Sequence, residues 1–221
     1  MIIQTHLQHG VIYHYQCNTT RLKKEKNQKN FYEYCLGVIQ NCPHEYFFSG
    51  PRSSVLKFRV GVDPVHVKGH EMSEFAKLGL EEYSQNIRSN HEKVQQFLLL
   101  HDPKTVALEV PLWVEQKETL PFIDGNLTGH IDIIRVENEN LWIWDYKPNA
   151  KKEKYATTQT YYYALMLAKR CQIPLDKIRC GYFDVDDAFL FKPVDVNLNG
   201  QLDGFVAAQE PRRTFIKQEQ K

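Results

Sequence analysis

The stretch that decides the fold is Leu127–Lys147, which reads LTGHIDIIRVENENLWIWDYK. Two segments rich in isoleucine, valine and aromatic residues flank a polar, turn-prone run. This pattern predicts a β-hairpin whose turn is centred between Asn138 and Glu139. Because that centring pairs each residue of the first strand with one of the second, Asp132 should lie directly opposite Asp145.

One face of the predicted hairpin concentrates polar and charged side chains. Side chains in a strand alternate between the two faces, so His130 joins Asp132, and Lys147 joins Asp145, on the same face. Directly opposed residues have Cβ atoms roughly 4.5–5.5 Å apart, close enough for one cation to bind both carboxylates. The other face of the second strand carries aromatic residues that suit a packed core layer, namely Trp142, Trp144 and Tyr146.

This face predicts a metal-dependent phosphodiesterase site. Mg²⁺ and Mn²⁺ prefer oxygen ligands, so Asp132 and Asp145 are the expected ligands, with the backbone carbonyl of Tyr146 as a further one. Such an ion activates water and neutralises phosphate charge, while Lys147 would orient the water or stabilise the developing anion. The alternative is a salt-bridged patch on the exposed face of an ordinary hairpin.

A helix is predicted after the hairpin. Residues 154–170 contain several alanine and leucine residues, no proline or glycine, and a basic end. Gln159 and Tyr163 are four residues apart and share one helix face, where they are candidate substrate-binding residues. The run Tyr161-Tyr162-Tyr163 fits either a stacking surface for unpaired bases or packing in the core.

The order Gly-x-x-Asp, Asp-Tyr-Lys and Gln-x-x-x-Tyr resembles the RecB-like branch of the PD-(D/E)XK nuclease superfamily, which includes helicase-associated and CRISPR adaptation nucleases. The resemblance implies a restriction-endonuclease-like α/β core, with a central mixed β-sheet flanked by helices. It assigns Asp132 and Asp145 to metal binding and catalysis, and Lys147 to catalysis. It assigns Gln159 and Tyr163 to site organisation and DNA contact, and it implies Mg²⁺ or Mn²⁺ as the cofactor.

Members of this branch also carry an upstream histidine, often followed by glutamate, that completes the metal site. The best match is Gly69-His70-Glu71, with His66 as the competitor. His70 opens a predicted helical region, and Glu71 fits equally well as an acid that favours the helix start. Seven histidines have no neighbouring motif in the sequence that indicates a chemical role. They are His6, His9, His14, His44, His66, His91 and His101.

Further strands are predicted around the central hairpin. Thr105–Val114 should form a strand and is a candidate for the first strand of the sheet, with Glu109 and Pro111 indicating an interruption or an edge. RecB-like nucleases often show a glutamate at the place of Glu109, but a strand-end surface charge is the preferred interpretation. Residues 177–184 and 188–194 should form a second hairpin.

The composition fits one catalytic domain. The chain has 221 residues, of which 42% are hydrophobic, enough to bury one substantial core. We expect an N-terminal accessory segment of uncertain fold at 1–60, a nuclease core at 61–200 and a C-terminal tail at 201–221. The formal net charge of +1 gives no global sign of nucleic-acid binding, whereas basic segments at 21–29 and 147–154 give a local one.

No apolar run reaches the roughly eighteen residues of a membrane span, and the N-terminus lacks a signal-peptide pattern. A cytoplasmic protein without membrane contact is therefore expected. Three cysteines precede the predicted site and only two follow it, so the resemblance does not support an iron–sulfur cluster. Structural thiols are expected because the cysteines form no Cys-x-x-Cys pair and no familiar zinc spacing; they are Cys17, Cys35, Cys42, Cys171 and Cys180.

The leading hypothesis is a divalent-metal-dependent DNA nuclease that hydrolyses phosphodiester bonds. By resemblance, it is an exonuclease that prefers single strands or free ends in DNA repair, recombination or defence, with a helicase or another repair protein as a partner. Two alternatives stay open: a nucleic-acid-binding or assembly module of nuclease fold without useful activity, and a sequence-specific endonuclease. Intact Asp132, Asp145 and Lys147 favour an enzyme.

Overall fold

The computed structural model describes residues 1–83, 89–115, 117–118, 120–123 and 125–198. These residues form one eight-stranded β-sheet with the strand order β1-β2-β4-β5-β6-β7-β8-β3. The strands are β1 (Ile2–Gln8), β2 (Ile12–Asn18), β3 (Val65–Lys68), β4 (Thr105–Val114), β5 (Leu127–Glu137), β6 (Asn140–Tyr146), β7 (Ile178–Phe183) and β8 (Asp187–Phe191). The helices are α1 (Thr19–Lys24), α2 (Lys29–Asn41), α3 (Tyr46–Ser49), α4 (Glu71–Glu82), α5 (Asn90–His101) and α6 (Ala156–Cys171).

The sheet is mixed and lies between helices. Strands β6 and β7 are parallel and are joined through α6, whereas the other neighbouring strands are antiparallel. Helices α2 and α6 pack in one hydrophobic cluster, and α4 and α5 pack in a second one that includes Trp144 and Tyr146. The predicted α/β class with a restriction-endonuclease-like core is confirmed, as is the aromatic core face of β6.

The central hairpin has the predicted register. Strand β5 pairs with β6 from Ile133 opposite Trp144 to Glu137 opposite Asn140. Asn138 and Glu139 form the turn and have φ angles of 50° and 63°, the left-handed values that a tight two-residue hairpin requires. Continuing this register by one residue brings Asp132 opposite Asp145, as the sequence predicts.

Strand β4 lies inside the sheet, so the expectation of an edge is wrong. The N-terminal strand β2 pairs with its outer side, where Gln16 faces Leu108. The predicted interruption is confirmed, because the pairing with β5 shifts between Thr105 and Ala107 and Glu109 has a φ of 49°. A non-glycine residue in this left-handed conformation is uncommon and marks a local distortion.

The distortion at Glu109 breaks the alternation of side chains along the strand. Leu108 packs in the cluster of α4 and α5, but Val110 packs in the cluster of α2 and α6. A regular strand would send both side chains to the same face. The neighbouring strand changes in the same way, since Ile133 and Ile131 also belong to opposite clusters. The sheet therefore opens locally beside Glu109, where the polar side chains converge.

The first 60 residues are built into the same sheet. Strands β1 and β2 extend it beyond β4, and α2 covers the cluster that contains α6. The division of the chain at residue 60 stays a prediction, and the predicted tail at 201–221 lies outside the described residues. The second predicted hairpin is confirmed as β7 and β8. Among the helices that the structure describes, none combines the length and the apolar character needed to span a bilayer.

Candidate active site

Most of the predicted site residues line one cavity of about 320 Å³. It opens between the ends of β5 and β6, the start of α5 and the first half of α6. Its walls include six residues that the sequence singled out: His130, Asp132, Asp145, Lys147, Gln159 and Tyr163. The structure thus brings the hairpin and the Gln-x-x-x-Tyr helix to a common space.

Two buried carboxylates form the centre of the cavity. Oδ2 of Asp132 accepts a hydrogen bond from the backbone N–H of Tyr146 at 3.0 Å. Oδ2 of Asp145 lies 2.8 Å from Nζ of Lys147, and the Asp145 carboxyl is also within hydrogen-bonding reach of that of Asp132. Burial and the charge of Asp132 raise the pKa of Asp145 well above its ordinary value. In the absence of a cation, Asp145 therefore takes up a proton more readily than a free aspartic acid does.

His91 is the histidine at the carboxylates. It lies in the first turn of α5, and its Nε2 is 2.7 Å from Oδ2 of Asp132. Burial opposes its protonation, but the charge and the hydrogen bond of Asp132 prevail and raise the pKa of His91 to about 9. Burial would raise the pKa of Asp132, yet the pairing with His91 holds it below its ordinary value. The two form an ion pair in the absence of a metal.

Glu109 completes this group. Ligand atoms of Glu109, His91 and Asp132 lie within 4.8 Å of one another. Gln95 of α5 donates a hydrogen bond to Oε1 of Glu109 at 2.7 Å. Burial and the charge of Asp132 raise the pKa of Glu109 to about 7. The interpretation of Glu109 as a surface charge is wrong, because the distorted backbone of β4 directs this side chain into the cavity.

The structure does not bring His70 or His66 to the cavity. His70 precedes α4, where its Nδ1 accepts a hydrogen bond from the N–H of Met72 at 3.1 Å. Its ring lies against Trp144, on the face of β6 opposite Asp145. His66 belongs to the outermost strand β3 and pairs with Asp187. His70 therefore caps a helix beside the core, and His91 is the histidine that lies at the carboxylates in its place.

A chain of hydrogen bonds links the hairpin to α6. Nζ of Lys147 donates to Oε1 of Gln159 at 3.1 Å, and Nε2 of Gln159 donates to the hydroxyl of Tyr163 at 2.9 Å. Burial would lower the pKa of Lys147, but the charges of Asp145 and Asp132 raise it above its ordinary value. Lys147 is therefore charged and held in place by a neutral amide.

The tyrosines of α6 are core residues. Tyr161, Tyr162 and Tyr163 are each less than 5% exposed and belong to the hydrophobic cluster of α2 and α6. Only Tyr163 reaches the cavity wall. The structure therefore supports core packing for this run and not a base-stacking surface. Tyr146 likewise packs its ring in the opposite cluster, and metal binding by its backbone carbonyl stays a prediction.

Residues from the N-terminal 60 complete the cavity wall. The ring of Tyr13 stacks on His130 with centroids 3.7 Å apart. Arg52 lies over the Tyr13 ring, hydrogen-bonds to its hydroxyl, and has Nη2 3.2 Å from Nδ1 of His130. No pattern in the sequence connects Tyr13, Arg52 or His91 with the hairpin. Their proximity arises from the packing of β2 and α5 and from a bridge between Arg52 and Thr128 of β5.

The donor set fits a hard divalent cation. Two buried carboxyl groups lie within hydrogen-bonding reach of each other, and Glu109 and His91 stand beside them. Adjacent carboxylates repel each other unless a proton or a cation lies between them, so a divalent cation would favour the ionised form of both. Oxygen-rich ligand sets are the ones that Mg²⁺ and Mn²⁺ prefer.

Comparison with protein-family models matches residues 66–219 to the PD-(D/E)XK nuclease superfamily. The matched segment contains β3 without its first residue, β4 to β8, and the whole of α4 to α6. No curated protein matches the sequence of the chain. Because the match spans more than half of the chain, this protein belongs to the PD-(D/E)XK nuclease superfamily, whose members are usually nucleases that use divalent metal ions.

Proposed function

We propose that this chain is a metal-dependent DNA nuclease of the RecB-like branch. The observation that carries the proposal is the meeting of Asp132, Asp145 and Lys147 with His91 in one cavity. This arrangement resembles that of RecB-like nucleases, in which a histidine from an upstream helix joins the two carboxylates. His91 supplies that histidine on α5, although the sequence pattern favoured His70.

The residues that would hold Mg²⁺ or Mn²⁺ are Asp132 and Asp145, with His91, Glu109 and the carbonyl of Tyr146 as further ligands. When bound, the ion supplies Lewis acidity and neutralises charge on the scissile phosphate. The two carboxyl groups already lie side by side, which suits a shared ion. Because burial and the charge of Asp132 raise the pKa of Asp145, metal binding competes with protonation of this group.

Lys147 acts directly on the reaction. Its ammonium group is 2.8 Å from Asp145 and 3.1 Å from Gln159, so its position is defined from two sides. A fixed positive charge beside the phosphate orients the attacking water or stabilises the anion that develops. Gln159 contributes by accepting a hydrogen bond from Lys147 without adding a second negative charge.

The cavity wall supports single-stranded DNA as the substrate. Arg52 offers a cation for a backbone phosphate, and Tyr13, whose ring lies beneath it, is an aromatic residue of the same wall. Proteins that bind single strands combine such basic and aromatic elements. We therefore propose an exonuclease that admits single strands or frayed ends, acting in DNA repair, recombination or defence together with a helicase or another repair protein.

Closed circular single-stranded DNA tests the exonuclease proposal. The purified protein is incubated with circles and with linear strands of equal length, in the presence of Mg²⁺, Mn²⁺ or a chelator. We expect linear strands to be degraded only with metal and circles to survive. Circles cut as fast as linear strands would favour the endonuclease alternative. Intact linear strands, with a metal demonstrably bound, would favour the binding or assembly module.

A further inference from the structure

A second group of metal-ligating side chains lies outside the carboxylate site. His9 follows β1, Cys42 follows α2, and His44 lies in the loop before α3. Their ligand atoms all lie within 4.8 Å of one another. His9 and Cys42 are buried, and His44 is exposed. We propose that these three residues bind a Zn²⁺-type ion that prefers thiolate and imidazole ligands.

The spacing of the ligand atoms suits one tetrahedral ion. Zn²⁺ lies about 2.0–2.1 Å from nitrogen and about 2.3 Å from sulfur, so two ligand atoms on one ion are roughly 3.3–3.6 Å apart. Nε2 of His9 is 2.8 Å from Nδ1 of His44 and 4.0 Å from Sγ of Cys42. The two separations lie on either side of that range. Side-chain shifts of less than about 1 Å would produce the tetrahedral arrangement.

The imidazole of His9 is already oriented. Its ring stacks on Phe47 with centroids 3.7 Å apart, and its Nδ1 is 2.8 Å from Nε2 of His130. A ligating histidine usually donates its other ring N–H to a neighbouring acceptor, which fixes the ring and its tautomer. His130 can serve as that acceptor while Nε2 of His9 faces Cys42 and His44.

Protonation affects the two buried ligands in opposite ways. Burial, with the nearby His44 and Arg52, lowers the pKa of His9 to about 4, so its imidazole is neutral. Burial and the charge of Glu45 raise the pKa of Cys42 to about 12, which opposes the thiolate. Metal binding must therefore displace the thiol proton, and it should weaken as the pH falls.

The ligand set distinguishes this ion from the one at the carboxylates. Thiolate and imidazole select Zn²⁺ over Mg²⁺, which prefers oxygen ligands. Three protein ligands with His44 at the surface leave the fourth position to a water molecule. The proposal does not depend on nuclease activity, because it rests on residues outside the carboxylate site.

An ion here would join separate parts of the chain beside the cavity. It would tie the turn between β1 and β2 to the loop between α2 and α3, next to His130 of β5. Without the ion, Arg52 can donate to Nδ1 of His130, and Nε2 of His130 then donates to Nδ1 of His9. Zinc binding would reverse this order of protons and leave the hydroxyl of Tyr13 as the acceptor for Arg52. The ion would therefore be coupled to the hydrogen bonds of the wall formed by Tyr13, Arg52 and His130.

Cobalt titration of the full chain tests the assignment. Co²⁺ bound by a thiolate gives a charge-transfer absorption band in the near ultraviolet, and Zn²⁺ displaces it. We expect one equivalent of this species in the unaltered protein and at least tenfold weaker binding in Cys42→Ala and His44→Ala. Cys171→Ala removes a different buried thiol, and Asp132→Asn alters the carboxylate site. Both should keep the band.

His44→Ala makes the test secure, since His44 is exposed and its loss should not prevent folding even if Cys42→Ala does. A thermal melt adds a second readout, because an ion that binds only the folded chain raises its melting temperature. We expect Zn²⁺ to raise it in the unaltered protein and not in His44→Ala. An absent band, a band unchanged in His44→Ala, or a band lost in Cys171→Ala would overturn the assignment.

Discussion

Replacing Gly129 with alanine should disable the site through a single methyl group. Gly129 begins the Gly-x-x-Asp sequence of β5, and its Cα lies under the ring of Tyr163. A Cβ placed on Gly129 would be 2.4 Å from Cε1 of Tyr163 and 2.8 Å from Oγ of Ser53. Carbon atoms in contact are normally about 3.5–4.0 Å apart. The tyrosine ring must therefore move by about 1 Å.

This displacement has two separable costs. Forcing a methyl group into a packed interior costs about 1–3 kcal/mol of stability. Moving Tyr163 also moves Gln159, which positions Lys147 through the hydrogen bonds described above. A misplacement of about 1 Å in such a chain can lower a rate about 100-fold. We expect both losses in Gly129→Ala.

Gly181→Ala is the matched control. A Cβ on Gly181 would be 2.4 Å from Cζ3 of Trp144, an equal overlap in the hydrophobic cluster of α4 and α5. Urea unfolding should show a similar loss of stability in both variants. Single-turnover cleavage of linear single-stranded DNA with Mg²⁺ should fall about 100-fold in Gly129→Ala and less than about tenfold in Gly181→Ala. Equal rates in the two variants would refute the role of Tyr163 and Gln159 in positioning Lys147.

Three further predictions follow from the geometry of the site. By calorimetry, His91→Ala should weaken Mn²⁺ binding about 10–100-fold, whereas His70→Ala should leave it unchanged and cost about 1 kcal/mol of stability through the lost helix cap. In single-turnover assays, Lys147→Ala should bind the metal normally but cleave about 100–1,000-fold more slowly. The pKa of Glu109 is raised from 4.5 to about 7. Ionisation of Glu109 therefore lowers the free energy of unfolding of the metal-free protein as the pH rises from 4.5 to about 7, and the full loss remains at higher pH. Glu109→Gln should therefore raise the free energy of unfolding by about 1–2 kcal/mol at pH 8 in chelator, and have little effect at pH 4.

Each of these predictions has a contradicting result. Equal Mn²⁺ affinity in His91→Ala and the unaltered protein would remove His91 from the ligand set. Weakened metal binding in Lys147→Ala would make its role structural. A Glu109→Gln variant that is equally stabilised at both pH values would mean that ionisation of Glu109 is not what destabilises the metal-free site.

The central hairpin was predictable because local signals specify it. The polar turn at Asn138 and Glu139 and the period-two pattern on both sides leave one register that places the aromatic side chains in the core. A shift of one residue would move Trp144 to the cavity and Asp145 into the hydrophobic cluster. The opposition of Asp132 and Asp145 follows from that constraint alone.

His91 and Glu109 could not be placed by the same means. His91 reaches Asp132 because α5 packs against the sheet with its first turn beside the carboxylates, which is a tertiary relation without a sequence pattern. Glu109 enters the cavity because its backbone adopts a left-handed conformation. The sequence has no glycine at this position to indicate a left-handed backbone. The alternation of side chains in a regular strand does not predict such a distortion either.

His70 matches the order of residues that the resemblance expects, but it does not lie at the cavity. The pair His70-Glu71 matches the expected order of residues, and a helix does begin there. The two side chains serve that helix and its surroundings: His70 caps it, and Glu71 pairs with Arg135 and Lys104. Residue type and order were satisfied, but position in space was not.

The central claim is that Asp132 and Asp145 jointly hold the catalytic metal, and Mn²⁺ calorimetry combined with cleavage on the same samples tests it most directly. The protein is compared with Asp132→Ala, Asp145→Ala and the control Asp186→Ala, which removes an exposed acid whose side chain is 76% accessible. We predict that each of the first two variants stays folded, binds Mn²⁺ at least about tenfold more weakly and cleaves no DNA, while Asp186→Ala behaves as the unaltered protein. Unchanged Mn²⁺ binding and cleavage in both Asp132→Ala and Asp145→Ala would contradict the claim.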